Sequence, residues 1–151
     1  MGTHYKGSKQ EEETLNAFIK VMRATESINS RLNRHLSEAD LTVSQFGTLE
    51  ALLHLGPLNQ RALGQKLLKS GGNITLVIDN LQKSGMVEKK TDPDDRRAVI
   101  ISLTPKGRKF ISDFFPQHLS KINEEFSVLT SDEKKQLAAL CKKLGKKPES
   151  E

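Results

Sequence analysis

Two guanidinium groups stand together in the polar stretch Asp92-Pro93-Asp94-Asp95-Arg96-Arg97. Proline among repeated aspartates favours a turn, and at an exposed turn neither arginine serves as packing. Asp95 lies two residues from Arg97, close enough to hold that side chain extended through a bidentate pair. An extended guanidinium fits the narrow, strongly negative minor groove of duplex DNA. A second set lies upstream. Ile74, Val77, Ile78 and Leu81 recur at helical spacing. With those four turned inward, the outer face presents Ser70, Gly72, Asn73, Thr75 and Leu76. Amides and hydroxyls bond to base edges, and a leucine meets the thymine methyl. Gly71 and Gly72 let the start of the helix approach a phosphate closely. The alternatives are a capped helix with a polar face and a solvated turn whose charges neutralise one another.

Other chemistries find little support in the spacing. His4, His35, His54 and His118 are far apart and form no ligand-spaced pair. The aspartates from Asp92 onward do not make a calcium loop, because Arg97 and Leu103 occupy the places of its glycine and its glutamate. Gly71-Gly72 lacks the lysine of a phosphate-binding loop. No catalytic set, metal or cofactor is therefore expected. Cys141, between Leu140 and Leu144, reads as a small buried apolar residue.

Charge is distributed unevenly. The chain of 151 residues carries a net charge of +5. Residues 56–110 hold 11 Lys and Arg against 5 Asp and Glu, while the rest holds 13 against 14. The whole basic excess thus falls in one central block, as on a nucleic-acid surface. The longest uncharged run, residues 51–60, falls far short of the ~20 that span a bilayer. No secretory signal is apparent, Lys6 breaks a myristoylation motif, and a single cysteine suits a reducing cytoplasm. A cytoplasmic protein with no membrane partner is expected.

Periodicity along the chain defines the helices and strands that carry these residues. Residues 1–10 read as a polar, flexible tail. A long helix over 11–40 carries Leu15, Phe18, Ile19 and Met22. Thr42 and Gln45 form a capping box that opens a second helix, stopped at Gly56-Pro57. A third follows Asn59, and Ser70 caps a fourth that ends at Gly85. Alternating runs before and after the Asp/Arg turn make a β-hairpin. Thr104-Pro105 starts a long helix, and Thr130 to Glu133 caps the last one, with residues 146–151 a flexible tail. The expected fold is mainly α with a small β-hairpin wing. A winged helix-turn-helix lobe (41–104) lies between long dimerisation helices (11–40 and 105–145), whose apolar stripes are too many for one thin chain.

Leu41-Thr42-x-x-Gln45-Phe46, Asn73-x-Thr75-x-x-x-Asp79-x-Leu81 and Asp92-Pro93-x-Asp95-Arg96-Arg97 leading into Leu103-Thr104-x-x-Gly107 resemble the MarR family of bacterial transcriptional regulators. The resemblance covers roughly residues 11–145. It implies a homodimer on pseudo-palindromic double-stranded DNA, with the helix from Ser70 in the major groove and the Arg96-Arg97 wing on the minor groove. It further implies repression relieved by a small phenolic or anionic effector between lobe and dimer region, where Arg23, His35 and Phe46 are the candidate contacts. The peroxide-sensing branch of the family uses a cysteine near the start of the first helix, and none is present here. The alternative function is a winged-helix protein-interaction module without sequence-specific DNA binding. An RNA platform is disfavoured, since the chain has no Trp and one Tyr.

Overall fold

The computed structural model describes residues 2–67 and 71–146. Its elements run α1 (Lys9–Glu38), α2 (Val43–Leu55), β1 (Leu58–Asn59), α3 (Gln60–Lys66), α4 (Gly71–Lys83), β2 (Val87–Thr91), β3 (Val99–Leu103), α5 (Pro105–Phe126) and α6 (Ser131–Gly145). Two compact units result, Met1–His118 and Leu119–Glu151. The first contains the winged helix-turn-helix. No described helix is long and apolar enough to cross a membrane.

Helix ends follow local chemistry. The Thr42 and Gln45 side chains accept each other's backbone N–H at 3.1 and 3.0 Å, as their spacing predicts. Thr130 and Glu133 do the same at 3.2 and 3.0 Å. Helix α1 starts two residues earlier than expected, because Ser8 and Glu11 form a third such box. The supposed tail is also tied down, with the Thr3 N–H donating to Asn16 Oδ1 at 2.8 Å. Asp40 ends α1 in the left-handed region (φ 56°), where the Leu41 N–H returns to the Leu36 carbonyl at 2.9 Å. Gly85 does this for α4 (φ 74°), and the Met86 N–H reaches the Leu81 carbonyl at 2.9 Å.

The sheet has the order β1-β3-β2 and is antiparallel throughout. In the wing, Val87 pairs with Leu103 and Thr91 with Val99. Strand β1, two residues that pair Leu58 with Ile101 and Asn59 with Ile100, was not expected from the sequence. It is too short to show a period. Leu49, Leu52, Leu63, Ile78, Leu81 and Ile101 form the fully buried centre, from α2, α3, α4 and β3. Thr104 ties the wing to α5: its hydroxyl donates to the Gly85 carbonyl at 2.6 Å and accepts the Gly107 N–H at 3.0 Å.

Two histidines meet in the same unit, contrary to the scattered imidazoles expected. His35 Nδ1 and His118 Nδ1 are 2.9 Å apart, so one ring donates and the other accepts. Stacking on Phe114, 4.9 Å from His35, and contact with Phe46, 4.5 Å from His118, surround the pair with aromatic rings. Sequence separation of 83 residues hides the pairing. Burial, and secondarily the neighbouring His35, hold the His118 imidazole below its usual range. The unfolded chain then takes up this proton first, so stability is lost as pH falls from about 6.5. We expect the melting temperature to drop between about pH 7.5 and 5.5, and to drop less in His118→Gln. The capping carboxylates Glu11 and Glu133 are held low by bonds from Ser8 and Thr130 and titrate in a lower window. Equal slopes in both proteins would contradict this assignment.

In the second unit α6 buries none of its residues. Leu140 and Leu144 are 64% and 70% exposed. Cys141 is exposed too, which corrects the expectation of a buried thiol.

Candidate nucleic-acid interface

Helix α4 carries the polar face that its spacing predicts. Ile74, Ile78 and Leu81 are buried and Val77 half-buried, while Gly72, Asn73, Thr75 and Leu76 are exposed. Ser70 lies outside the described residues. The Thr75 hydroxyl accepts a hydrogen bond from Gln60 Nε2 at 3.1 Å. Asp79, one turn further on, forms an ion pair with Lys89 of β2. That bridge fixes α4 against the wing strand and neutralises one of the block's cations.

The wing tip is built differently from the expected ion pair. Asp95 Oδ1 accepts the backbone N–H of Arg97 at 3.0 Å, and Asp92 Oδ1 accepts that of Asp94 at 2.9 Å. The Ala98 N–H closes on the Asp95 carbonyl at 2.9 Å. The two carboxylate bonds are Asx turns, in which a short side chain satisfies the backbone two residues on. Local backbone donors reach the carboxylate before the long guanidinium does. Asp95 therefore shapes the loop and does not hold the Arg97 side chain. Among the described residues no carboxylate pairs with Arg96 or Arg97, and both are exposed.

One concave surface joins the two sets. A groove of about 780 Å³ is lined by Asn59, Gln60 and Arg61 at the start of α3, by Thr75 of α4, and by Asp95 and Arg97 of the wing. Sequence reasoning missed Gln60 and Arg61. The signal was present in Asn59, a helix cap whose side chain accepts the Arg61 N–H at 2.8 Å and so places both neighbours in the first turn. The groove combines hydroxyl and amide groups with cations that carry no ion pair among the described residues. A polyanion with readable edges suits such a surface. No group of three His, Cys, Asp or Glu suited to a metal occurs among the described residues.

The candidate effector contacts are only partly assembled. His35 and Phe46 both adjoin His118. Arg23 is exposed and lies twelve residues before His35 on α1, roughly 18 Å along the helix axis. It does not join them within the chain.

Comparison with known proteins bears on the family and the fold. The sequence model of the MarR family matches residues 39–98. The chain is 35% identical over 134 residues to the HTH-type transcriptional regulator MhqR of Bacillus subtilis, covering 89% of this chain and 92% of that one. A variant of MarR from E. coli, solved complexed with operator DNA, is 26% identical with a TM-score of 0.76, covering 92% and 100% of the two chains. Sco3205 of Streptomyces coelicolor shares the fold at a TM-score of 0.85 and 20% identity, over 98% and 95% of the two chains.

Proposed function

The chain belongs to the MarR family and is a DNA-binding transcriptional regulator, and from that premise we propose a homodimeric repressor released by a small effector. In this reading α4 addresses base edges in the major groove through Gly72, Asn73, Thr75 and Leu76, and Ser70, which precedes it in the sequence, is a further candidate contact. Arg96 and Arg97 lie along the adjacent minor groove, and Asp95 keeps the turn that presents them. The groove that Thr75 and Arg97 line together carries the reading, because one duplex can then engage both at once. The MarR variant of E. coli solved complexed with operator DNA supports duplex DNA as the partner.

Dimerisation accounts for the exposed apolar residues. Phe18, Val21 and Met22 of α1 are exposed at helical spacing, and so are Leu137, Leu140 and Leu144 of α6. Apolar surface of this kind marks an association site. A two-fold copy would cover it and pair two α4 helices on a pseudo-palindrome. A flat phenolic or anionic effector suits the aromatic ring cluster at His35 and Phe46. Such a regulator acts on the chromosome in the cytoplasm and performs no catalysis.

Selection of bound duplexes from a random pool tests this. The expected product is an inverted repeat with half-sites ~10 bp apart, centre to centre. Enrichment of a single isolated half-site at full affinity would contradict the paired reading.

A further inference from the structure

We propose that Gln60 is a specificity-determining positioning residue, acting on DNA through its hydrogen bond to Thr75. This rests on α4 being the element that reads bases. The two residues are 15 apart in sequence and belong to different helices. Thr75 of α4 is exposed, while Gln60 of α3 is half-buried beside it. The Gln60 backbone is pinned on both sides. Asn59 before it pairs with Ile100 in the sheet, and the Asn59 side chain caps the Arg61 N–H behind it. The carboxamide therefore extends from a fixed platform, and its Nε2 donates to Thr75 Oγ1. A helical threonine otherwise divides its hydroxyl between two rotamers. The bond from Gln60 favours one of them before DNA arrives and commits one acceptor site of the hydroxyl. A base edge then meets a hydroxyl of set direction, and the ordering cost on binding falls. Gln60 itself makes no base contact in this account.

A double-mutant cycle on the full-length protein tests the assignment. Gln60→Met keeps the side chain's length but removes the amide. It is measured with Thr75→Ala and the double variant, on the best duplex recovered by the parent from a random pool and on a scrambled duplex of equal length. Gln60→Met should weaken the selected duplex roughly 2- to 10-fold, the size of one hydrogen bond. It should barely change scrambled DNA, the slope of affinity against salt or the melting temperature. In the Thr75→Ala background it should cost nothing further. Losses that multiply would show that Gln60 acts on its own and overturn the proposal. Equal losses on both duplexes would reduce Gln60 to general support of the lobe and overturn it as well. If Thr75→Ala itself leaves the selected duplex tightly bound, the reading of α4 fails instead, and the coupling falls with it.

Discussion

Gly107→Ala should leave little folded protein at ordinary temperature. A β-carbon at that position would sit 1.9 Å from the Met86 carbonyl oxygen and 2.8 Å from its carbon. Both are backbone atoms at the junction of α4 and β2, so no side chain can swing aside. The same junction holds the Thr104 clasp, which places α5 against the base of the wing. Relieving the clash means separating α5 from the wing, and we expect a loss above ~4 kcal/mol, in the range reserved for severe overpacking. Gly72→Ala provides the comparison. Its added methyl meets nothing within 4 Å, and alanine is the better helix former by about 1 kcal/mol. Thermal melts should show Gly107→Ala unfolded or nearly so and Gly72→Ala at least as stable as the parent. Similar melting temperatures for all three would refute the close approach.

The double variant Leu140→Glu, Leu144→Glu should be monomeric and should bind the selected operator roughly 10²- to 10⁴-fold more weakly. Both side chains are exposed in the isolated chain, and among the described residues every buried core residue precedes Leu119. Folding of the lobe is therefore not at risk. Carboxylates on the apolar face of α6 would be desolvated without partners in a two-fold interface. Loss of the dimer turns one two-armed binding event into two separate weak ones. Sedimentation would report the mass and a titration the affinity. A variant that remains dimeric with parental affinity would remove α6 from the interface.

Much of this architecture was legible because its signals are local. Thr42 with Gln45, and Thr130 with Glu133, announce helix starts by chemistry confined to one turn. The spacing of Ile74, Ile78 and Leu81 fixes which side of α4 faces outward. Where sequence and structure differ, the cause is a partner distant in sequence or a competitor close at hand. His35 and His118 meet only because α1 and α5 pack together. Gln60 gains meaning only when α3 is brought beside Thr75. Strand β1 owes its existence to β3, some forty residues later. Asp95 differs for the opposite reason: its own backbone offers a donor nearer than the Arg97 guanidinium. Asp40 ends α1 in a conformation usually left to glycine, so the end of that helix carries no glycine to mark it. The exposed thiol of Cys141 depends on what covers α6, which the sequence of one chain does not encode.

Whether α4 and the wing grip DNA together is decided by the affinity of Arg97→Ala. The Arg97 side chain is exposed and in no ion pair among the described residues, so its loss should change stability by less than about 0.5 kcal/mol. Affinity is then measured on the selected operator with A·T-rich and with G·C-rich flanks. We expect an unchanged melting temperature and a loss of about tenfold or more on A·T-rich flanks, where the minor groove is narrow and most negative. The loss on G·C-rich flanks should be smaller. Parental affinity on every duplex would contradict it.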